Sequence, residues 1–174
     1  MKESDEKAKI GLEIHLQLKT ASKLFCGCRT NSNKPNSALC PICLGMPGSK
    51  PVLNKKVLES AIKLGLALNC TIQKENFFSR KTYFYPDMSK NYQITQYEFP
   101  LCINGHLKYK NKIIRIKRIH IEEDPASIQY PSTIDKSEYC LIDYNRAGVP
   151  LCEIVTEPDL TSAEEAREFL EYLI

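Results

Sequence analysis

The segment that most constrains this chain is the one without periodicity. From Thr20 to Pro51 the sequence is rich in Cys, Asn, Ser, Pro and Gly, and neither a helical nor a strand repeat runs through it. Loop chemistry of that length needs a staple to stay ordered. Cys26-x-Cys28 and, eleven residues on, Cys40-x-x-Cys43 offer four soft thiolates from two short turns, a set that suits tetrahedral zinc. A closed four-Cys site leaves no open coordination position, so its expected role is structural, supplying ordering energy that hydrophobic burial does not. The alternative is four unligated thiols in a loop. The remaining cysteines, Cys70, Cys102, Cys140 and Cys152, stand singly and read as small buried hydrophobes.

Composition narrows the setting. At 174 residues there is room for one ordinary domain, or for one with a small appendage. Hydrophobic residues at 43% and charged residues at 26% exclude wholesale disorder, and a net charge of +3 is compatible with nucleic acid without arguing for it. No window approaches the ~18 uninterrupted apolar residues of a membrane span, so a soluble chain is expected. Met1 to Lys9 alternates charges without an apolar run, which predicts a short solvated tail over residues 1–9 rather than a signal peptide. Eight cysteines without such a signal predict reduced thiols and a cytoplasmic or organellar-matrix setting.

Ile10 to Leu18 alternates as a strand, with Leu12, Ile14, Leu16 and Leu18 on one face and Glu13, His15 and Gln17 on the other. Asn54 is placed to cap a helix whose stripe is Leu58, Ala61, Ile62, Gly65 and Leu68. Thr71 to Phe99 favours β structure, broken at Pro86-Asp87, and Asn104-Gly105 fits a hairpin turn. His106 to His120 is strand-like and carries Lys108, Lys110, Lys112, Arg115, Lys117 and Arg118; Glu122-Glu123-Asp124 then reverse the charge. Tyr139–Tyr144 and Pro150–Val155 read as strands. Thr161-x-x-Glu164 reads as a capping box opening a helix with Ala166, Phe169, Leu170 and Leu173 in a stripe that needs a partner surface. The expected class is α+β, mostly antiparallel sheet with flanking helices and a Cys-bearing knob over residues 20–51.

Glu13 and His15, two apart on a strand, project from one face and can share a divalent cation or move a proton. If that strand neighbours the end of the basic one, Glu13, His15 and Glu122 or Glu123 form a site for Mg²⁺ and a phosphate. Arg80-Lys81 and Lys90 flank Tyr83-Phe84-Tyr85-Pro86-Asp87 and could hold phosphates beside a stacked base. A solvated turn and an edge strand are the plain alternatives. No phosphate loop, dinucleotide fingerprint or serine nucleophile elbow is present.

These blocks resemble a known family. Ile10-Gly11-Leu12-Glu13-Ile14-His15, Lys23-Leu24-Phe25-Cys26-Gly27-Cys28, Leu39-Cys40-Pro41-x-Cys43-Leu44-Gly45-Met46-Pro47-Gly48 and Tyr83-Phe84-Tyr85-Pro86-Asp87-Met88-x-Lys90 are similar to the B subunits of glutamyl/aspartyl-tRNA amidotransferases. So are His120-x-Glu122-Glu123-Asp124, Asp143-Tyr144-Asn145-Arg146-x-Gly148-Val149-Pro150-Leu151 and Glu153-Ile154-Val155-x-Glu157-Pro158-Asp159. The resemblance runs from Ile10 to the end. It implies ATP-dependent phosphorylation of the side-chain carboxylate of Glu on the glutamine tRNA, or Asp on the asparagine tRNA. Ammonia from a separate amidase (glutaminase), the A subunit, which assembles with a small C subunit, then amidates the acyl phosphate. The resemblance also implies Glu13, His15 and Glu123 as catalytic and Mg²⁺-binding residues with Glu122 beside them, Lys81, Lys90 and Arg146 facing phosphates or the substrate carboxylate, and zinc on the four cysteines. Residues 10–174 would then form the first part of a glutamine-synthetase-like cradle. The rest of the cradle, on further sequence or on a second chain, and a tRNA-binding tail would lie beyond, so the isolated piece is expected to be inactive and to expose apolar surface. Where the family often has Ala-Gly-Lys after its acidic triplet, this chain has Pro125-Ala126-Ser127. Two rival readings are a zinc-stabilised RNA-binding module using the basic run, and a metal hydrolase built on Glu13, His15 and Glu123.

Overall fold

A computed structural model describes residues 8–173. The tail expected over residues 1–9 therefore lies outside the described residues as far as residue 7. Ala8 and Lys9 are exposed and irregular.

The main sheet has five strands: β1 (Glu13–Gln17), β2 (Thr71–Ile72), β5 (Cys102–Tyr109), β6 (Lys112–Glu123) and β9 (Pro150–Thr156), in the order β1-β9-β6-β5-β2. Every pairing in it is antiparallel. Two small antiparallel pairs stand beside it, β3 (Ser79–Thr82) with β4 (Tyr92–Thr95), and β7 (Ser127–Gln129) with β8 (Leu141–Asp143). With helices α1 (Lys55–Ala67) and α2 (Ala163–Leu173) this is the α+β, mostly antiparallel class the patterning predicts.

One face of the sheet is dry. Ile116, Ile119, Ile121, Cys152 and Ile154 pack against Val57, Ala61 and Leu68 of the α1 region. Asn54 caps α1 by accepting from the Lys56 N–H at 2.9 Å, while its amide donates to the carbonyls of Ser22 and Lys23 at 3.2 Å. The cap thus joins the helix to the Cys-rich loop. That loop is less separate than a knob: Leu24, fully buried, and Phe25 belong to the same core.

Three local expectations shift. Asn104-Gly105 lies inside β5, and the hairpin turn falls at Lys110–Asn111, between paired Tyr109 and Lys112, with Lys110 at φ 50°. Gly105 is required for close approach, since a Cβ there would overlap Cys70 Sγ and the Leu68 carbonyl. The cap of α2 is one residue later than predicted: Ser162 Oγ accepts from the Glu165 N–H at 3.1 Å, and the Glu165 carboxylate accepts from the Thr161 N–H at 2.8 Å. The α2 stripe also has its partner. Phe169 is fully buried against Tyr109, Ile114 and Leu160, whereas Leu170 is exposed.

Candidate functional site

A bulge in β6 decides which side chains reach the other face of the sheet. Pairing with β9 runs Ile116 to Thr156 and then Arg118 to Val155, so the register slips by one at Lys117. Before the slip Ile114 and Ile116 face the core; after it Ile119 and Ile121 do. The slip therefore sends Arg118, His120 and Glu122 to the face away from α1. On that face His15, Glu153 and His120 form one cross-strand row, because Glu153 is paired with His15 on one side and His120 on the other.

The row closes into a cluster. His15 Nε2 lies 3.3 Å from Glu122 Oε1 and 3.5 Å from Glu153 Oε2. His120 Nε2 lies 3.3 Å from Glu122 Oε2 and 3.4 Å from Glu153 Oε2. Thr95 Oγ1 donates to Glu122 Oε2 at 3.0 Å. The hydrogen bond from His120 is the main cause that pulls the Glu153 carboxyl down to about 2, with the fields of His120 and His15 adding and burial opposing. Burial works against charge on His120, but its bonds to Glu122 and Glu153 outweigh that and raise its pKa. One ligand atom from each of His15, Glu122 and Glu153 falls within a single 4.8 Å group, which fits a divalent cation.

This grouping differs from the expected one. Glu13 and His15 share a face as expected, and Glu13 lines the same cleft. Glu123 does not join them. Strand alternation turns it to the opposite side, where its Oε1 takes the Lys90 ammonium and the Ile94 N–H, the latter at 2.9 Å. Gln93 Nε2 donates to the Glu123 carbonyl at 2.7 Å and Gln96 Oε1 accepts from the Ile121 N–H at 3.1 Å, so these contacts clamp the β3–β4 hairpin across the end of β6.

The basic residues divide in the same way. Arg80 and Lys81 line a cleft of about 550 Å³ with Glu13, Arg118, His120, Glu122 and Glu153, and the Arg80 guanidinium sits 4.9 Å from the Tyr92 ring centre. Lys90 is buried in its pair with Glu123. Arg146 is engaged with backbone, donating to the Pro125 and Ala126 carbonyls at 2.9 and 2.8 Å. Neither lines that cleft. Three residues of the cluster escaped the sequence reading. Glu153 was visible as a lone acid within the otherwise apolar strand Pro150–Val155; His120 and Arg118 depend on the bulge, which leaves no mark in the sequence.

The cysteines converge. The Sγ atoms of Cys26, Cys28, Cys40 and Cys43 all lie within 4.8 Å of one another, with Cys40 and Cys43 3.9 Å apart. A tetrahedron with Zn–S bonds of about 2.3 Å has edges of about 3.8 Å, so the set fits zinc. A hydrogen bond from Cys26 chiefly draws the Cys43 thiol down to about 4, helped by the Cys40 backbone N–H and the Lys23 charge, while the Cys26 thiol is pushed up.

The basic run of β5–β6 is largely spent within the protein. Lys110 pairs with Glu168, Lys112 with Glu165 and Arg115 with Asp159, and Arg118 faces the cleft. That leaves little of the continuous basic strip an RNA-binding module would present.

An antiparallel sheet thus carries carboxylates and imidazoles on one face, with guanidinium and ammonium groups lining the same cleft, a donor set compatible with a divalent cation. Similar proteins are known. The family described as the GatB/GatE catalytic domain matches residues 8–174, and the chain belongs to it. It is 57% identical over 170 residues to the B subunit of an aspartyl/glutamyl-tRNA(Asn/Gln) amidotransferase from Methanospirillum hungatei, covering 94% of this chain and 36% of the relative. The B subunit of the Saccharolobus solfataricus enzyme is 55% identical over 173 residues, covering 95% and 37%, and that of a Thermoanaerobacter species 55% over 168, covering 94% and 34%. The chain thus spans about a third of the length of these relatives. No helix among the described residues is long and apolar enough to cross a membrane.

Proposed function

We propose that this chain forms the phosphoryl-transfer half-site of a tRNA-dependent amidotransferase, acting on Glu carried by the glutamine tRNA or Asp carried by the asparagine tRNA. In this reading it belongs to a glutamine-synthetase-like cradle completed by further sequence, works with an amidase (the A subunit) and a small C subunit, and carries structural zinc. The observation that carries it is the cleft that Glu13, Glu122 and Glu153 line together with Arg80, Lys81 and Arg118, with His15 Nε2 against Glu122 and Glu153.

The chemistry needs such a cleft. A carboxylate is a poor acyl donor because its leaving group would be oxide. Attack by a substrate carboxylate oxygen on the γ-phosphorus of ATP forms the O–P bond, breaks the bond to the β-phosphate oxygen and releases ADP. Ammonia then attacks the acyl carbon, phosphate departs and the amide loses a proton. His15, Glu122 and Glu153 would hold Mg²⁺, with Glu13 beside them; the cation supplies neutralisation of phosphate charge when bound. Arg80 and Lys81 would bind phosphate oxygens from the opposite wall, and Arg118 would meet the charge that develops during transfer. His120 positions Glu122 and Glu153 through Nε2, fixing both carboxylates before the cation arrives.

The test is Glu153→Gln in the assembled enzyme. Mg²⁺-dependent ATP hydrolysis stimulated by misacylated tRNA should fall at least about 100-fold, beyond the range typical of outer ligands, while glutamine hydrolysis by the amidase continues. Normal ATP hydrolysis at unchanged Mg²⁺ requirement would sink the assignment.

A further inference from the structure

Lys23 is among the largest fully buried side chains of the described residues, at 0% exposure. A buried ammonium is costly unless an opposite charge compensates it. Among the described residues Lys23 makes no ion pair, and the hydrogen bond that its Nζ makes runs to the Tyr144 carbonyl at 3.4 Å. Glu123 is the near carboxylate, but its Oε1 takes Lys90 and the Ile94 N–H, and it forms no ion pair with Lys23.

Two of the four clustered cysteines, Cys26 and Cys43, share a chamber with Lys23. Lys23, Cys26, Cys43, Lys90, Glu123 and Gly148 line a chamber of about 30 Å³, large enough for one water. Gly148 marks where they meet. A Cβ built on it would lie 3.6 Å from Lys23 Cδ, 3.6 Å from Cys43 Cβ and 3.7 Å from Glu123 Oε2. The Lys23 N–H donates to the Cys28 carbonyl at 2.9 Å and the Leu24 N–H to the Gly148 carbonyl at 2.9 Å, so backbone bonds fix Lys23 between the cysteine turn and Gly148.

We propose that Lys23 is the built-in counter-cation of the metal–thiolate centre. Zinc with four thiolates carries a net charge of 2−, and a closed centre of that kind has no ligand of its own to offset it. Lys23 supplies one positive charge from the protein interior, and the centre in turn supplies the counter-charge that Lys23 lacks. The two are mutually dependent. Loss of metal, with the thiols reprotonated, strands a buried ammonium beside the Lys90–Glu123 pair that clamps the β3–β4 hairpin onto β6. Metal occupancy in the knob and order at the clamp, one residue from Glu122, are thereby linked. This rests on the zinc reading of the four cysteines.

Zinc affinity in the full chain, measured at one pH by competition with a chromogenic chelator, tests it with three proteins. Unaltered protein that takes up no zinc refutes the zinc reading and this proposal with it. Where the unaltered protein binds, Lys23→Met should weaken binding about 10- to 100-fold, the range for outer partners of metal ligands, and Lys23→Arg, which keeps the charge, should bind markedly tighter than Lys23→Met. After chelation the order of stability should invert, Lys23→Met unfolding at a higher temperature than unaltered protein because no charge is stranded. A Lys23→Met chain that folds only poorly even in saturating zinc, while Lys23→Arg folds, is the same result in stronger form. Unchanged affinity in Lys23→Met, or equal impairment of both variants, overturns the proposal.

Discussion

At the scale of single residues, adjacent side chains here do different work. Glu122 and Glu123 are both buried, yet one faces an open cleft with two imidazoles and the other is locked to Lys90 and a backbone N–H. Removing one partner of a buried pair leaves an uncompensated charge, which typically costs about 3–5 kcal/mol. Lys90→Met should therefore lower unfolding stability by about that much in a urea titration. Arg80→Ala should shift stability by no more than about 0.5 kcal/mol, since Arg80 is exposed and makes only a stacking contact with Tyr92. The same Arg80→Ala substitution should weaken Mg-ATP binding in the assembled enzyme. If Lys90→Met proves neutral for stability and Arg80→Ala damaging, the division into clamp and phosphate-facing residues is reversed. Sequence alone grouped these basic residues together, because spacing along a chain does not say which side of a hairpin each will occupy.

At the scale of elements, α2 shows how hydrophobic and ionic docking combine. Phe169 fills the pocket formed by Tyr109, Ile114 and Leu160, and three ion pairs rim it. The best formed joins Arg115 and Asp159: the carboxylate takes the guanidinium and also the Arg115 backbone N–H at 2.9 Å. The Arg115 side-chain hydrogen bond is the leading cause that holds the Asp159 carboxyl below its usual value. A depressed carboxyl stabilises the folded state above its unfolded value of 3.8 and loses that contribution as pH falls through the folded value. Asp159→Asn should thus cost about 1 kcal/mol at neutral pH, discounted for the exposed arginine, and the gap to unaltered protein should close below about pH 4. Thermal melts of the two proteins from pH 3 to 7 would show it, and a gap that widens on acidification would contradict the assignment. The apolar spacing of α2 was legible in the sequence, and so was its capping chemistry to within one residue. Its partner was not, because a stripe says that a surface is needed and not which one.

At the scale of the whole molecule, the Cys-rich loop and the sheet share one core. Leu24 and Phe25 sit among Ile119, Ile121 and Cys152, so the loop cannot loosen without opening the space beneath the site strands. About one equivalent of zinc should copurify. Cys40→Ser, or chelation, should lower the thermal midpoint of the entire chain by at least about 5 °C, since each kcal/mol moves a chain of this size by about 2–4 °C. Loss confined to residues 20–51, with an unmoved global midpoint, would mean that loop and sheet are independent. Composition reports that residues 20–51 lack periodicity but not that Leu24 and Phe25 join the core of the sheet.

The sequence by itself determined the antiparallel α+β class, the four-thiol cluster, the cap at Asn54 and the shared face of Glu13 and His15. Each of these rests on spacing or chemistry within a few residues, and near neighbours dictate such features whatever the rest of the chain does. Only the tertiary structure decided that Glu122 and Glu153, rather than Glu123, join His15, and that Lys23 is buried beside the thiols. The first outcome hangs on one slip of register at Lys117 and on pairing of β1 with β9, more than a hundred residues apart. A one-residue shift exchanges the two faces of a strand, and the energy that selects the register comes from burying Ile119, Ile121, Cys152 and Ile154 together, a long-range sum that no local pattern records.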